Sequence, residues 1–338
     1  MARGGQRIRK FGTLIGGGAL ALFACSESAT RLRADEEPGL THVPAVPAES
    51  VDRPPPPPPP PVEGSCTTPE CGAAEDAQRF VIIGDYGASG PDEAKVAALA
   101  ARLKPDFIVT TGDNNYPLGE AETIDENIGR YFHSFIAPYS GKFGSGAREN
   151  RFFPCLGNHD FNPVVGAQPY LDYFSLPNNE RYYQVVLGNV QLFSLDSDPN
   201  EPDGRTVDSK QAEWLEGELG ASVAPWRVVF FHHPPYSSAV VHGSTLEMRW
   251  PFAAWGASIV YSGHDHTYER LSVDGFPYIV NGVGGRDLYD LGEPVPESLV
   301  RHADVHGLVL VTATATDFVS RFLDARGIEL DVLAIHRK

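Results

Sequence analysis

Five times along this chain an apolar run stops at a glycine or a tight loop, and a residue able to hold a metal follows at once. The points are GDYG at 84–87, GDNNY at 112–116, GNHD at 157–160, HHPPY at 232–236 and GHDH at 263–266. The runs before them, such as 79–83 and 105–111, are continuously apolar, as expected of strands buried on both faces of a parallel sheet. In open α/β sheets, ligands bind at the carboxyl ends of such strands. Taken singly, each point is weak. A buried histidine at a strand end is more often a hydrogen-bonded structural residue, and a Gly-Asp pair is often a turn. Five in series are not readily read as turns.

The donors at these points are carboxylate, phenol, amide oxygen and imidazole: Asp85; Asp113 and Tyr116; Asn158, His159 and Asp160; His232 and His233; His264 and His266. No thiol belongs to the set, which excludes a structural cysteine–zinc site and suits iron, manganese or zinc. A donor set of this size is too large for one ion that keeps an open position, and it fits two ions sharing a bridging carboxylate.

The spacing predicts a helix over 91–104, with Pro91 and acids at its start, between strands at 79–83 and 105–111. A hairpin is expected over 182–196, turning at Gly188-Asn189. Crossover helices are expected at 208–219 and at 245–255, the second interrupted by Pro251. Alternating strands follow Gly307. The expected fold is α/β, with two β-sheets packed together and helices outside.

The region before residue 77 reads as address and tether. Arg3, Arg7, Arg9 and Lys10 precede an apolar run at 11–24, too short to span a bilayer and suited to a signal-peptide core. Ala24-Cys25 after it resembles a bacterial lipobox, with Cys25 as the lipidated residue; ordinary signal cleavage nearby is the alternative. Residues 25–76 carry prolines 54–61 without a break. That segment reads as a semi-rigid polyproline spacer or as a plain disordered tail. Cys66 and Cys71 suggest a small disulfide loop in an oxidising compartment; two cysteines alone do not make a zinc site. The domain organisation is therefore 1–24 signal, 25–76 tether and 77–338 catalytic domain. The formal charge is −17. It argues against nucleic acid as a partner and against electrostatic docking to anionic lipid. Membrane attachment is expected only through Cys25, so the chain is read as exported to a bacterial envelope.

From residue 79 to about 335 the chain resembles the calcineurin-like metallophosphoesterases, and more narrowly the purple acid phosphatases of the small tartrate-resistant type. The residues that carry the resemblance are GDYG, GDNNY, GNHD, the His-x-Pro segment and GHDHTYER. Tyr116, three residues after the bridging aspartate, is the discriminating one. The resemblance implies a four-layer sandwich of two mixed sheets. It implies that Asp85, Tyr116 and His266 hold Fe3+, that Asp113 bridges, and that Asn158, His232 and His264 hold a divalent ion (Fe2+, Zn2+ or Mn2+). His232 is chosen over His233 because the family's ligand lies two residues before the proline. His159 and His242 are implied as substrate-facing groups, His242 through a one-residue insertion. Tyr86 stands where animal enzymes tend to have tryptophan, in the pocket wall. Asp160 is expected to orient ligating histidines, and Asp196 either does the same or is a plain strand-end carboxylate.

The chemistry so implied is hydrolysis of a small phosphate monoester. A hydroxide held by the metals attacks phosphorus in line, and a histidine serves the leaving group. No G-x-S-x-G elbow and no P-loop is present. A phosphodiesterase or nucleotidase on the same scaffold, and a non-catalytic surface lipoprotein, are the competing readings.

Overall fold

The computed structural model describes residues 76–337. The signal segment, Cys25, the proline run and the Cys66–Cys71 pair lie outside the described residues. Among the described residues, thirteen strands form two sheets. They are β1 (Gln78–Ile83), β2 (Phe107–Thr110), β3 (Phe152–Pro154), β4 (Tyr183–Leu187), β5 (Val190–Ser194), β6 (Trp226–Phe230) and β7 (Ile259–Ser262). There follow β8 (Tyr268–Val273), β9 (Phe276–Asn281), β10 (Ser298–His302), β11 (Gly307–Ala313), β12 (Asp317–Asp324) and β13 (Glu329–His336).

The first sheet has the order β13-β12-β11-β1-β2-β3 and the second β10-β8-β9-β7-β6-β5-β4. Both are mixed. The strands β1, β2 and β3 run parallel, and β11 closes antiparallel on β1 with Ile82 opposite Val309. In the second sheet β5, β6, β7 and β9 are parallel.

Alternation decides which face each strand buries. In the second sheet Leu192, Val228 and Phe230 join the core shared with the first sheet, through Phe80, Val311 and Phe318. Their neighbours Phe193, Val229 and Phe231 point the other way, under the helices Lys210–Ala221 and Phe252–Trp255. Cross-sheet contacts are specific. Tyr268 stacks on Phe322 at 3.9 Å, and the Tyr261 hydroxyl donates to Ser320 Oγ at 2.9 Å. The result is a sandwich of two mixed sheets with helices outside.

The helix Pro91–Leu103 begins with proline and two acids, which suit free N–H groups, and ends at Lys104 in a left-handed conformation (φ 49°). Ser209 caps Lys210–Ala221 through Ala212 N–H. The hairpin turns at Gly188, φ 58°, as the sequence suggests. The expected helix over 245–255 is not one. A 3-10 turn at Leu246–Met248 and one helical turn at Phe252–Trp255 flank Pro251, which lacks the N–H a continuous helix needs. The hairpin β8–β9 turns at Asp274-Gly275, both at positive φ (51° and 85°), a turn signal that the sequence carries but that is absent from the expectations above; the strand β10 carries none.

Candidate metal centre

Because β1, β2, β3, β6 and β7 run parallel within their sheets, their carboxyl-terminal loops gather at one end of the sandwich. Main-chain bonds lock the loops together within each sheet and between the two. Asp85 N–H donates to Gly112 C=O (3.1 Å), Gly263 N–H to His232 C=O (2.9 Å) and Gly284 N–H to Gly84 C=O (2.9 Å). The packing leaves no room for side chains on the punctuating glycines. A Cβ on Gly112, which also has φ +91°, would meet His232 Nδ1 at 2.6 Å; one on Gly263 would meet Asp85 Oδ2 at 2.4 Å. Asp85, Asp113 and His264 themselves sit at positive φ (54°, 53° and 70°). Left-handed backbone at non-glycine residues costs energy and concentrates at functional sites.

The seven candidate ligands fall into two groups around Asp113. Its Oδ2 accepts from the Tyr116 hydroxyl at 2.7 Å, and that hydroxyl lies 3.1 Å from His266 Nε2. His266 Nε2 in turn lies 3.5 Å from Asp85 Oδ1. The other oxygen, Asp113 Oδ1, lies 3.3 Å from His232 Nε2. That same nitrogen is 2.9 Å from Asn158 Oδ1 and 3.1 Å from His264 Nδ1. Donor atoms of Asp85, Asp113 and His266 all lie within 4.8 Å of one another.

Proton bookkeeping shows that this donor set fits cations. His232 Nδ1 faces the carbonyl of Thr111 (2.8 Å), which can only accept, so Nδ1 carries a proton. Its Nε2 then points a lone pair at two more acceptors, Asn158 Oδ1 and Asp113 Oδ1. His266 repeats the pattern, with Nδ1 against the Asp287 carbonyl (2.5 Å) and Nε2 toward Asp85. Each arrangement is repulsive unless positive charge sits between, as a proton or as a metal ion. Burial alone would push His232 down, yet the Asp113 charge draws it up to about 10. Burial works against ionising Asp113, yet His232 holds it well below the usual carboxylate range. Two buried carboxylates, Asp85 and Asp113, make no ion pair with lysine or arginine among the described residues. Buried charge of this kind is stable only when compensated.

His159 and His242 flank this cluster. The N–H of His159 donates to Asp113 Oδ1 (2.9 Å), its Nδ1 meets the Pro117 carbonyl (2.6 Å), and its ring leans on Tyr116 at 4.4 Å. His242, exposed at the rim, stacks on His264 at 4.0 Å. His233, the neighbour of His232, packs on His264 at 4.4 Å and pairs through Nδ1 with Ser197 Oγ at 2.8 Å.

Three expectations need correction. Tyr86 is fully buried and donates to Asn114 Oδ1 (2.9 Å), so it underpins the Asn114 loop and does not line a pocket wall. Asp160 touches no ligating imidazole. It accepts from Gly157 N–H (2.8 Å) and from Asn114 N–H and Nδ2, tying the GNHD loop to the GDNNY loop. Asp196 binds Asp198 N–H (2.9 Å), and its Oδ2 has no partner. Backbone carbonyls orient the histidines instead, which no residue pattern announces. The loop after β9 was unreadable as sequence yet closes the site. Arg286 N–H donates to Asp85 C=O (3.0 Å), Asp287 orients His266, and Tyr289 stacks on His266 at 3.9 Å. Asp265, inside GHDH, accepts from Ser237 Oγ (2.5 Å) and Gly243 N–H (3.2 Å) and so fastens the segment carrying His242.

The family model of the calcineurin-like phosphoesterases matches residues 78–268. Purple acid phosphatase 17 of Arabidopsis thaliana is 25% identical, the match covering 73% of this chain and 81% of that protein. Tartrate-resistant acid phosphatase type 5 of Homo sapiens is 26% identical over 62% of this chain and 74% of its own. Among solved structures, a purple acid phosphatase of yellow lupin superposes with a TM-score of 0.61 at 18% identity. That match covers 77% of this chain and 54% of the lupin chain, so this chain spans about half its length. GAP50 of Plasmodium, described as the anchor in the inner membrane complex, superposes with a TM-score of 0.60 at 18% identity, covering 78% of this chain and 90% of its own.

Proposed function

The chain belongs to the calcineurin-like phosphoesterase family, and on that premise we propose that it is a metal-dependent acid phosphatase hydrolysing phosphate monoesters at a centre of two ions. The observation that carries this reading is the division of Asp113: one carboxylate oxygen faces Tyr116 and the other faces His232. In the proposed assignment Asp85, Tyr116 and His266 hold a ferric ion, and Asn158, His232 and His264 hold a divalent one, with Asp113 common to both. The ions, when bound, supply Lewis-acid charge for the phosphoryl oxygens and make water a competent nucleophile at low pH.

The protein's own groups do the rest. The Thr111 and Asp287 carbonyls fix His232 and His266 with their Nε2 atoms toward the centre. His159, held through Nδ1 by the Pro117 carbonyl, keeps its other nitrogen for the substrate. His242 at the rim is placed to give a proton to the departing alkoxide. Local positive charge in this cleft attracts a phosphate dianion that the acidic body would otherwise repel.

Steady-state assay of the purified full chain on p-nitrophenyl phosphate and its bis ester tests the reaction. Higher kcat/KM on the monoester supports it, and a strong preference for the diester overturns it. Asp113→Asn is expected to lower both metal occupancies together by elemental analysis; loss of one alone contradicts the shared role. An oxidised, iron-loaded protein is expected to be purple from charge transfer between phenolate and iron. Full iron without colour removes Tyr116 from the ligands. Export with a lipid on Cys25 and a proline tether belong to the same proposal, tested by acyl labelling that Cys25→Ser abolishes. No helix among the described residues is long and apolar enough to cross a membrane.

A further inference from the structure

One guanidinium beside the site has no part in the chemistry above. Arg286 follows Gly284-Gly285 in the loop after β9. Its main chain is held on both sides, with N–H donating to Asp85 C=O and its carbonyl 3.0 Å from His306 Nε2. Its guanidinium carbon lies 5.1 Å from the centre of the Tyr116 ring. Placed over the ring whose hydroxyl meets Asp113 and His266, the cation stands beside the donor atoms. Its acidic contact is the adjacent Asp287, at 3.4 Å, whose carboxylate is 90% exposed. An exposed pair at that distance contributes little and exchanges readily for another anion. Arg205, whose charge also reaches His233, is committed to the Ser197 carbonyl at 3.0 Å.

Charge decides what Arg286 is for. Ions at the centre share their charge with Asp85, Asp113 and the phosphoryl group being transferred. A second anionic group on the same substrate therefore meets little remaining attraction from them, and repulsion from a body of formal charge −17. It needs a cation of its own, set back from the reacting phosphorus by the length of a linking group. A guanidinium fork is matched to the oxygens of a carboxylate or a second phosphate. We propose that Arg286 is a specificity residue that binds an oxyanion on the leaving-group side, so that the preferred substrates are phosphomonoesters bearing a second anionic group. The proposal rests on the phosphatase reading above.

The test compares wild type, Arg286→Ala and Arg286→Lys, as metal-loaded full chains, on phenyl phosphate and 4-carboxyphenyl phosphate. The ratio of kcat/KM between the two esters cancels effects common to both. Arg286→Ala is expected to lower the carboxylate-to-unsubstituted ratio about tenfold, chiefly through KM, and Arg286→Lys to keep part of it, charge without the fork. Calorimetric titration with phosphonoacetate and methylphosphonate reads the same preference without turnover: Arg286→Ala weakens the first about tenfold relative to the second. An unchanged ratio in both experiments overturns the proposal. Equal losses on both members of each pair also overturn it, since they place Arg286 at the transferred phosphate. If the wild type hydrolyses neither ester, the phosphatase reading fails, and the phosphonate pair still decides what Arg286 binds.

Discussion

At the scale of single residues, the site is governed by where protons and lone pairs can go. His232 and His266 each stand between a carbonyl and a carboxylate, an arrangement that favours the protonated imidazole when no metal is bound. The sign of the pH dependence follows. In the metal-free protein Asp113 draws His232 up to about 10, so His232 is protonated at pH 7, and a metal must displace that proton. Metal binding at His232 is expected to release a proton near pH 7, and affinity to fall as the pH is lowered. Titrating zinc into apoprotein in weak buffer with a pH indicator measures the release; uptake, or no change, contradicts the ligand assignment. Metal-capable residues were legible as sequence at this scale because donors are chosen by chemical type. Arg286, Tyr289 and the carbonyl of Asp287 were not, because nothing in the local sequence sets them apart from ordinary loop residues.

At the scale of elements, the strand-end loops work because their backbones nearly touch. Gly263 joins β7 to His264, and Asp85 Oδ2, the Thr111 carbonyl and its Oγ1 surround the space where a side chain would begin. Gly263→Ala is expected to push Asp85 or the β7 loop aside, lowering metal content several-fold and stability by about 1–3 kcal/mol. Metal analysis together with thermal unfolding checks this, and an alanine variant with wild-type metal content and Tm refutes the close approach. The strands before the five loops were plain in the sequence, since buried parallel strands are uniformly apolar. The segment 245–255 misled because Met248, Phe252 and Trp255 have helical spacing, yet Trp250, Phe252 and Trp255 pack on one another in a compact turn around Pro251.

At the scale of the whole molecule, two sheets must stay registered for loops from both to meet. Trp226 Nε1 donates to the Thr314 carbonyl (2.6 Å), fastening the second sheet to the turn between β11 and β12. Across β8 and β13, Arg270 Nε and Nη2 grip Asp331 (2.7 and 3.1 Å), which also accepts from the Tyr268 hydroxyl at 2.8 Å. Removing one partner of a largely buried pair strands the other, so Asp331→Ala is expected to cost about 2–3 kcal/mol in urea unfolding. The metal ligands themselves should be untouched, and a cost below about 0.5 kcal/mol would show that this cross-sheet tie contributes no stability. By itself the sequence determined the α/β class, the strand-end loops and the chemical types of the donors, because period, punctuation and residue chemistry are local properties. Only the tertiary structure decided that Asp113 presents its two oxygens to two separate groups, that carbonyls aim the histidines, and that Arg286 lies over Tyr116. Those are distances between residues far apart in the chain, and they come into being only when both sheets pack.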